Sequence, residues 1–131
     1  MKKLLLIIVS VIFISLTINA KTQSDTETFT GTIGPYKVIV TLSCYNYGHG
    51  LMGDMCDIKG NYKYLQNGTT LKLKGQYSTG TGYRLDEFTA KGRKSAEWNF
   101  QEDFDYPNRY VGKFKNLSNG QEYEIILKKT N

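Results

Sequence analysis

From about residue 27 onward, apolar and polar residues alternate with a period of two, and no window sustains the 3.6-residue stripe of an amphipathic helix. That alternation predicts eight strands, at 27–33, 36–43, 57–65, 69–77, 83–89, 94–101, 109–115 and 122–129. Turn chemistry falls between them. Gly34-Pro35, Asn67-Gly68, Ser78 to Gly82, Lys91-Gly92, Tyr106-Pro107-Asn108 and Ser118-Asn119-Gly120 each supply residues that tolerate or impose a reversal. Short connections between successive strands predict an antiparallel meander.

The same alternation sorts side chains onto two faces. One face carries Tyr36, Val38, Val40, Leu42, Ile58, Tyr62, Tyr64, Leu71, Leu73, Tyr77, Tyr83, Leu85, Ala96, Trp98, Phe100, Tyr110, Phe114, Tyr123, Ile125 and Leu127. The other carries Lys59, Asn61, Lys63, Lys72, Lys74, Gln76, Lys113 and Lys115. Closure of such a sheet removes its exposed edges, so the expected fold is all-β, an antiparallel eight-stranded meander closing into a small barrel. A two-sheet sandwich is the alternative. Gly60, Gly75 and Gly112 each precede an inward aromatic by two residues, a device that permits strong strand curvature while a neighbouring ring covers the gap.

The N-terminal segment breaks this pattern. Lys2 and Lys3 precede an almost wholly apolar run from Leu4 to Ile18, and Asn19, Ala20 and a polar stretch follow. A run of 15 residues is the length of a signal-peptide core and short of the roughly 20 needed to span a bilayer. Residues 1–20 are therefore read as a signal peptide with cleavage after Ala20, an uncleaved anchor being the alternative. A lipoprotein is excluded, because the nearest cysteine is Cys44. One domain of 111 residues remains at 21–131. It keeps 15 basic against 12 acidic residues, scattered and without a basic stripe, so no nucleic-acid partner is expected. Stable membrane insertion after cleavage is not expected either.

Export changes how the two cysteines read. In an oxidising compartment Cys44 and Cys56 are expected to form one disulfide. Cys44, His49, Asp54 and Cys56 are all zinc-competent, yet the cysteine spacing is wider than in close zinc-binding pairs, and no metal is expected. His49 is the sole histidine and sits in no nucleophile signature. Glu102, Asp103 and Asp105 read as a solvated acidic turn. No catalytic residue and no cofactor is assigned. Two features remain. Glu87 falls on the apolar face, where it either satisfies a buried hydroxyl or amide, or anchors a pocket. The stretch between the cysteines carries Tyr45, Tyr47, His49, Leu51 and Met52, and either plugs one barrel end or forms a recognition loop. With the inward Trp98, these are the candidate binding residues.

The run Gly31-Thr32-Ile33-Gly34-Pro35-Tyr36-Lys37-Val38 resembles the opening of small exported bacterial β-proteins, and Gly60-Asn61-Tyr62, Leu71 to Gly75 and Leu85-Asp86-Glu87 fit the same series. The outline is also similar to avidin- and lipocalin-like barrels. Biotin sites in avidins use several tryptophans, whereas Trp98 is alone here. Small periplasmic lysozyme inhibitors resemble the chain in size, barrel and disulfide, with cysteines normally far apart in sequence. The resemblance implies an exported barrel and supplies no activity, cofactor or site residue.

Two functions follow as expectations for a periplasmic or secreted chain. One is a non-enzymatic barrel holding a small molecule or peptide near the disulfide loop. The other is a protein-interaction module that inhibits an envelope hydrolase or a toxin, with a solid interior and the loop as contact surface. Interior volume separates them. For the export reading, the mature protein recovered from the producing cell is expected to begin at Lys21 by N-terminal sequencing; a chain still carrying Leu4–Ile18 would refute cleavage.

Overall fold

The computed structural model describes residues 25–51 and 53–130; the segment read as a signal peptide and Met52 lie outside the described residues. These residues form eight strands and no helix: β1 (Asp25–Ile33), β2 (Tyr36–Gly50), β3 (Gly53–Tyr64), β4 (Thr70–Ser78), β5 (Gly82–Phe88), β6 (Lys94–Glu102), β7 (Arg109–Asn116) and β8 (Glu122–Lys129). Each pairs antiparallel with the next, and β1 closes on β8 from Phe29↔Lys129 to Ile33↔Ile125, so the sheet is a closed barrel in sequence order. The barrel, rather than the sandwich, is thus the observed fold.

The expected turns hold the strand ends. Gly34, Gly68, Gly92 and Gly120 all adopt the left-handed backbone that a side chain disfavours. Asn67 and Asn116 use their side-chain carbonyls to accept from backbone amides two residues on, at Thr69 and Ser118. The turns alternate between two ends of the barrel. The β1–β2, β3–β4, β5–β6 and β7–β8 turns sit at one mouth. The β2–β3, β4–β5 and β6–β7 connections sit at the other.

The largest departure from the sequence reading lies at 44–56. A loop was expected there, and the structure instead continues β2 and β3 as a paired ribbon to Gly50↔Gly53. Glycines at 48, 50 and 53 suggested irregular backbone, but pairing survives because both arms are held. Cys44 and Cys56 are disulfide-bonded at the base of the ribbon. Beyond them, the Thr79 amide donates to the Asp54 carbonyl at 3.0 Å, fastening the β3 arm to the β4–β5 turn. One extra residue on β2, with Asn46 in the left-handed region, forms a β-bulge opposite Cys56 and turns the ribbon.

The barrel lumen is filled. Phe29, Val38, Val40, Leu42, Tyr62, Leu73, Leu85, Ala96, Trp98, Phe100, Ile125 and Leu127 are all buried in one cluster. Aromatic rings meet across it, Trp98 lying 4.7 Å from Tyr62, 5.6 Å from Phe114 and 6.4 Å from Phe100 between centroids, while Phe29 lies 6.0 Å from Tyr83. Most of these pairs are edge-to-face, the arrangement the ring quadrupole favours. Such rings in mutual contact leave no lumen for a ligand.

The inward glycines make this closure possible. A Cβ built on Gly75 would overlap the Arg84 carbonyl oxygen, and one on Gly60 or Gly112 would overlap the carbonyl of Thr41 or Asn99. Gly31, on β1, meets the Ile126 carbonyl in the same way. Neighbouring backbones therefore approach closer than any side chain permits. Gly112→Ala is expected to destabilise the domain by about 1–3 kcal/mol, the range for forced overpacking. In denaturant unfolding its midpoint should fall well below that of a Gly92→Asn control, whose site is open and whose backbone Asn tolerates. Equal midpoints would contradict the close approach.

Candidate functional site

The structure separates the sequence-predicted residues into three places. Tyr45, Tyr47, His49 and Leu51 lie on the β2–β3 ribbon. Trp98 lies in the core, 1% exposed, with its indole nitrogen buried and unpartnered among the described residues. Glu87 lies at the opposite mouth.

The ribbon projects rather than plugs. Leu51, at its tip, is fully exposed, Tyr47 is 63% exposed and Met55 38%. Its polar side chains stiffen it: Asn46 donates to Asp57 at 3.0 Å, and His49 Nδ1 sits 2.6 Å from the Asp54 carboxylate. The Lys59 ammonium lies over the Tyr45 ring, 5.1 Å from its centroid. At the ribbon base a groove of about 880 Å³ crosses the outer face of β3–β6, lined by Tyr45, Asn46 and Met55 at one end and by Asp57, Lys74, Gln76, Arg84, Asp86 and Glu97 along its length. The groove thus carries both signs of charge, with Lys74 paired across from Asp86 and the like-charged Asp86 and Glu97 bridged by Lys94. The disulfide removes both sulfurs from any metal site here, and among the described residues no three His, Cys, Asp or Glu groups converge.

At the other mouth, Glu87 points inward and is 5% exposed. Strand parity places it there, opposite Leu73 on β4 and Ala96 on β6. A bulge after it does the rest. Ser95 is an extra residue on β6, unpaired between Ala96 and Lys94, and this re-aims its side chain so that its hydroxyl donates to Glu87 at 2.6 Å. The Tyr62 hydroxyl also donates to Glu87, and the Tyr64 hydroxyl lies 3.0 Å from that of Tyr62. Above the carboxylate opens a pocket of about 300 Å³ lined by Ile33, Phe114, Tyr36, Tyr64 and Tyr123 and by the amides of Gln66, Asn67 and Asn116.

A second inward carboxylate, Glu27, stands at the ribbon-side mouth. It accepts from the Tyr83 hydroxyl at 3.0 Å and pairs with the Lys129 ammonium at 2.8 Å. That ion pair raises the lysine above its ordinary value, chiefly through the hydrogen bond. The two mouths thus share a motif, a carboxylate under tyrosines, and differ in its neutralisation.

Sequence reasoning found Glu87 and took its pocket neighbours Tyr36, Tyr64, Phe114 and Tyr123 as core alone. The missed signal was position: each lies at an inward position near the strand ends that face the same mouth. Glu27 was missed although it shares parity with Phe29. No protein-family model, curated protein or solved structure matches the chain, so the site's chemistry stands by itself.

Burial pushes the Tyr62 and Tyr83 hydroxyls far above the usual tyrosine range, with Glu87 and Glu27 respectively adding to the effect. In the unfolded chain both titrate near pH 10. A raised folded value means that the stability they contribute is intact below about pH 10 and is lost as pH rises further, because only the unfolded state then releases the protons. Alkaline titration of the ten tyrosines by ultraviolet absorbance should show an exposed set ionising reversibly, and a buried set ionising only as near-ultraviolet circular dichroism collapses. Ionisation of all ten with the fold intact would contradict this packing.

Proposed function

We propose that this chain is an exported, non-enzymatic binding protein that captures a protein partner through the β2–β3 ribbon, in the periplasm or outside the cell. The observation that carries this reading is a set of exposed apolar and aromatic side chains, Tyr47, Leu51 and Met55, on a ribbon clamped to a rigid barrel by the Cys44–Cys56 disulfide. Clamping lowers the ordering entropy lost on association, and tyrosine is a favoured anchor at such surfaces. The packed lumen argues against a ligand held inside the barrel. The groove beside the ribbon, with charges of both signs, suits an extended segment of the partner, so a peptide and a folded protein are served by the same surface. A disulfide is compatible with the oxidising compartment that export implies. The Lys-rich outer face suits a water-facing barrel with no stable membrane insertion, and the scattered charge leaves nucleic acid without a footprint. Inhibition of an envelope hydrolase or a toxin is the form of activity most consistent with a rigidly held surface of exposed aromatic and apolar side chains.

The test is capture. Immobilised mature domain should retain a defined partner from envelope and culture extracts of its own organism. The Tyr45→Ser, Tyr47→Ser, Leu51→Ser triple variant should bind that purified partner at least tenfold more weakly, with unchanged unfolding midpoint. Undiminished binding by the triple variant would remove the ribbon from the interface.

A further inference from the structure

We propose that the mouth opposite the ribbon binds a small organic cation, a quaternary ammonium group seated on Glu87 between the rings of Tyr36, Tyr64, Phe114 and Tyr123.

The first reason is an unbalanced carboxylate. Glu87 is buried and its side chain meets two hydroxyls, from Tyr62 and Ser95. Among the described residues no lysine, arginine or histidine lies within ion-pair distance of it. Buried charges in proteins are ordinarily paired with a counter-charge. The barrel itself provides the comparison. Glu27, more exposed at the other mouth, has Lys129 at 2.8 Å. At the Glu87 mouth the equivalent place is the open pocket.

The second reason is the wall of that pocket. Tyr36 stands 6.0 Å from Tyr64 and 6.3 Å from Tyr123 between centroids, nearly perpendicular to both at 86° and 78°. Phe114 continues the wall 6.1 Å from Tyr123. Rings set at right angles around an opening form the sides of a box, and aromatic faces attract cations through their quadrupole. The opening is about 300 Å³, at the small end of ligand sites, which suits a headgroup rather than an extended molecule.

The third reason selects the kind of cation. Both Glu87 oxygens already accept a hydroxyl proton, and of the amides that share the lining with the rings, the Asn67 and Asn116 carbonyls already accept from Thr69 and Ser118. A quaternary ammonium, which donates no hydrogen bond and is held by charge and ring contact, matches that environment. A primary ammonium would have to share the carboxylate with the Tyr62 and Ser95 hydroxyls. This site lies at the barrel end away from the ribbon and does not rest on the proposed protein capture.

Calorimetric titration of the purified chain with choline, with its neutral isostere carrying carbon in place of nitrogen, and with propylammonium tests the inference. Choline should saturate the protein, the isostere should bind at least about tenfold more weakly, and propylammonium should bind more weakly than choline. Glu87→Gln should reduce choline affinity by about tenfold or more while leaving the isostere unchanged. If that variant fails to fold, Tyr36→Leu decides, since this ring is 41% exposed at the rim: choline should weaken several-fold relative to the isostere. The proposal is overturned if choline does not bind, if choline and the isostere bind alike, if propylammonium binds more tightly than choline, or if either folded variant binds choline as the wild type does.

Discussion

An eight-stranded sheet closes only when its strands coil, and coiling brings some backbones nearer than a Cβ allows. Gly31, Gly60, Gly75 and Gly112 mark those places, on β1, β3, β4 and β7. Each faces inward, and large residues stand opposite: Leu42 and Leu73 beside Gly60, Ile58 and Leu85 beside Gly75, Phe100 and Ile125 beside Gly112. The volume the glycines vacate is taken by Trp98, Tyr62, Phe29 and their neighbours, so curvature and packing are one solution. A lumen filled in this way is rigid, and function is displaced to the ends and the outer face.

The two ends answer the same problem differently. At each, tyrosines continue the aromatic interior toward water, and an inward glutamate gives their hydroxyls an acceptor. Glu27 is neutralised within the chain by a lysine from the last strand. Glu87 is held by a serine that reaches it only because a bulge turned the strand. Bulges that re-aim a side chain at a barrel rim are characteristic of working positions rather than of packing ones. The ribbon carries the other such irregularity, at Asn46, where one added residue sets the direction in which Tyr47 and Leu51 project.

Much of this was legible in the chain. Strand parity alone put Val38, Val40, Trp98, Phe100 and Leu127 inside, because a period of two fixes the face of every residue once one is known. It put Glu87 inside as well. Two things were beyond parity. The first was Ser95, since a bulge resets the count locally and leaves no mark in the hydrophobic pattern. The second was the ribbon at 44–56, where glycines argued for a loop while a disulfide and the β4–β5 turn, both long-range contacts, kept the strands paired. Pocket membership was also hidden: Tyr36, Tyr64 and Tyr123 look like any inward aromatic until the turns are sorted onto two ends.

The disulfide has a consequence beyond the ribbon. In a reducing compartment Cys44 and Cys56 remain thiols, and the ribbon would be held by its strand and side-chain hydrogen bonds, among them Tyr47 to Asp25 on β1 and the Thr79 contact, while the core would lose a cross-link whose Cys56 end is buried within it. Reduction of this one bond would loosen the ribbon and that end of the core together.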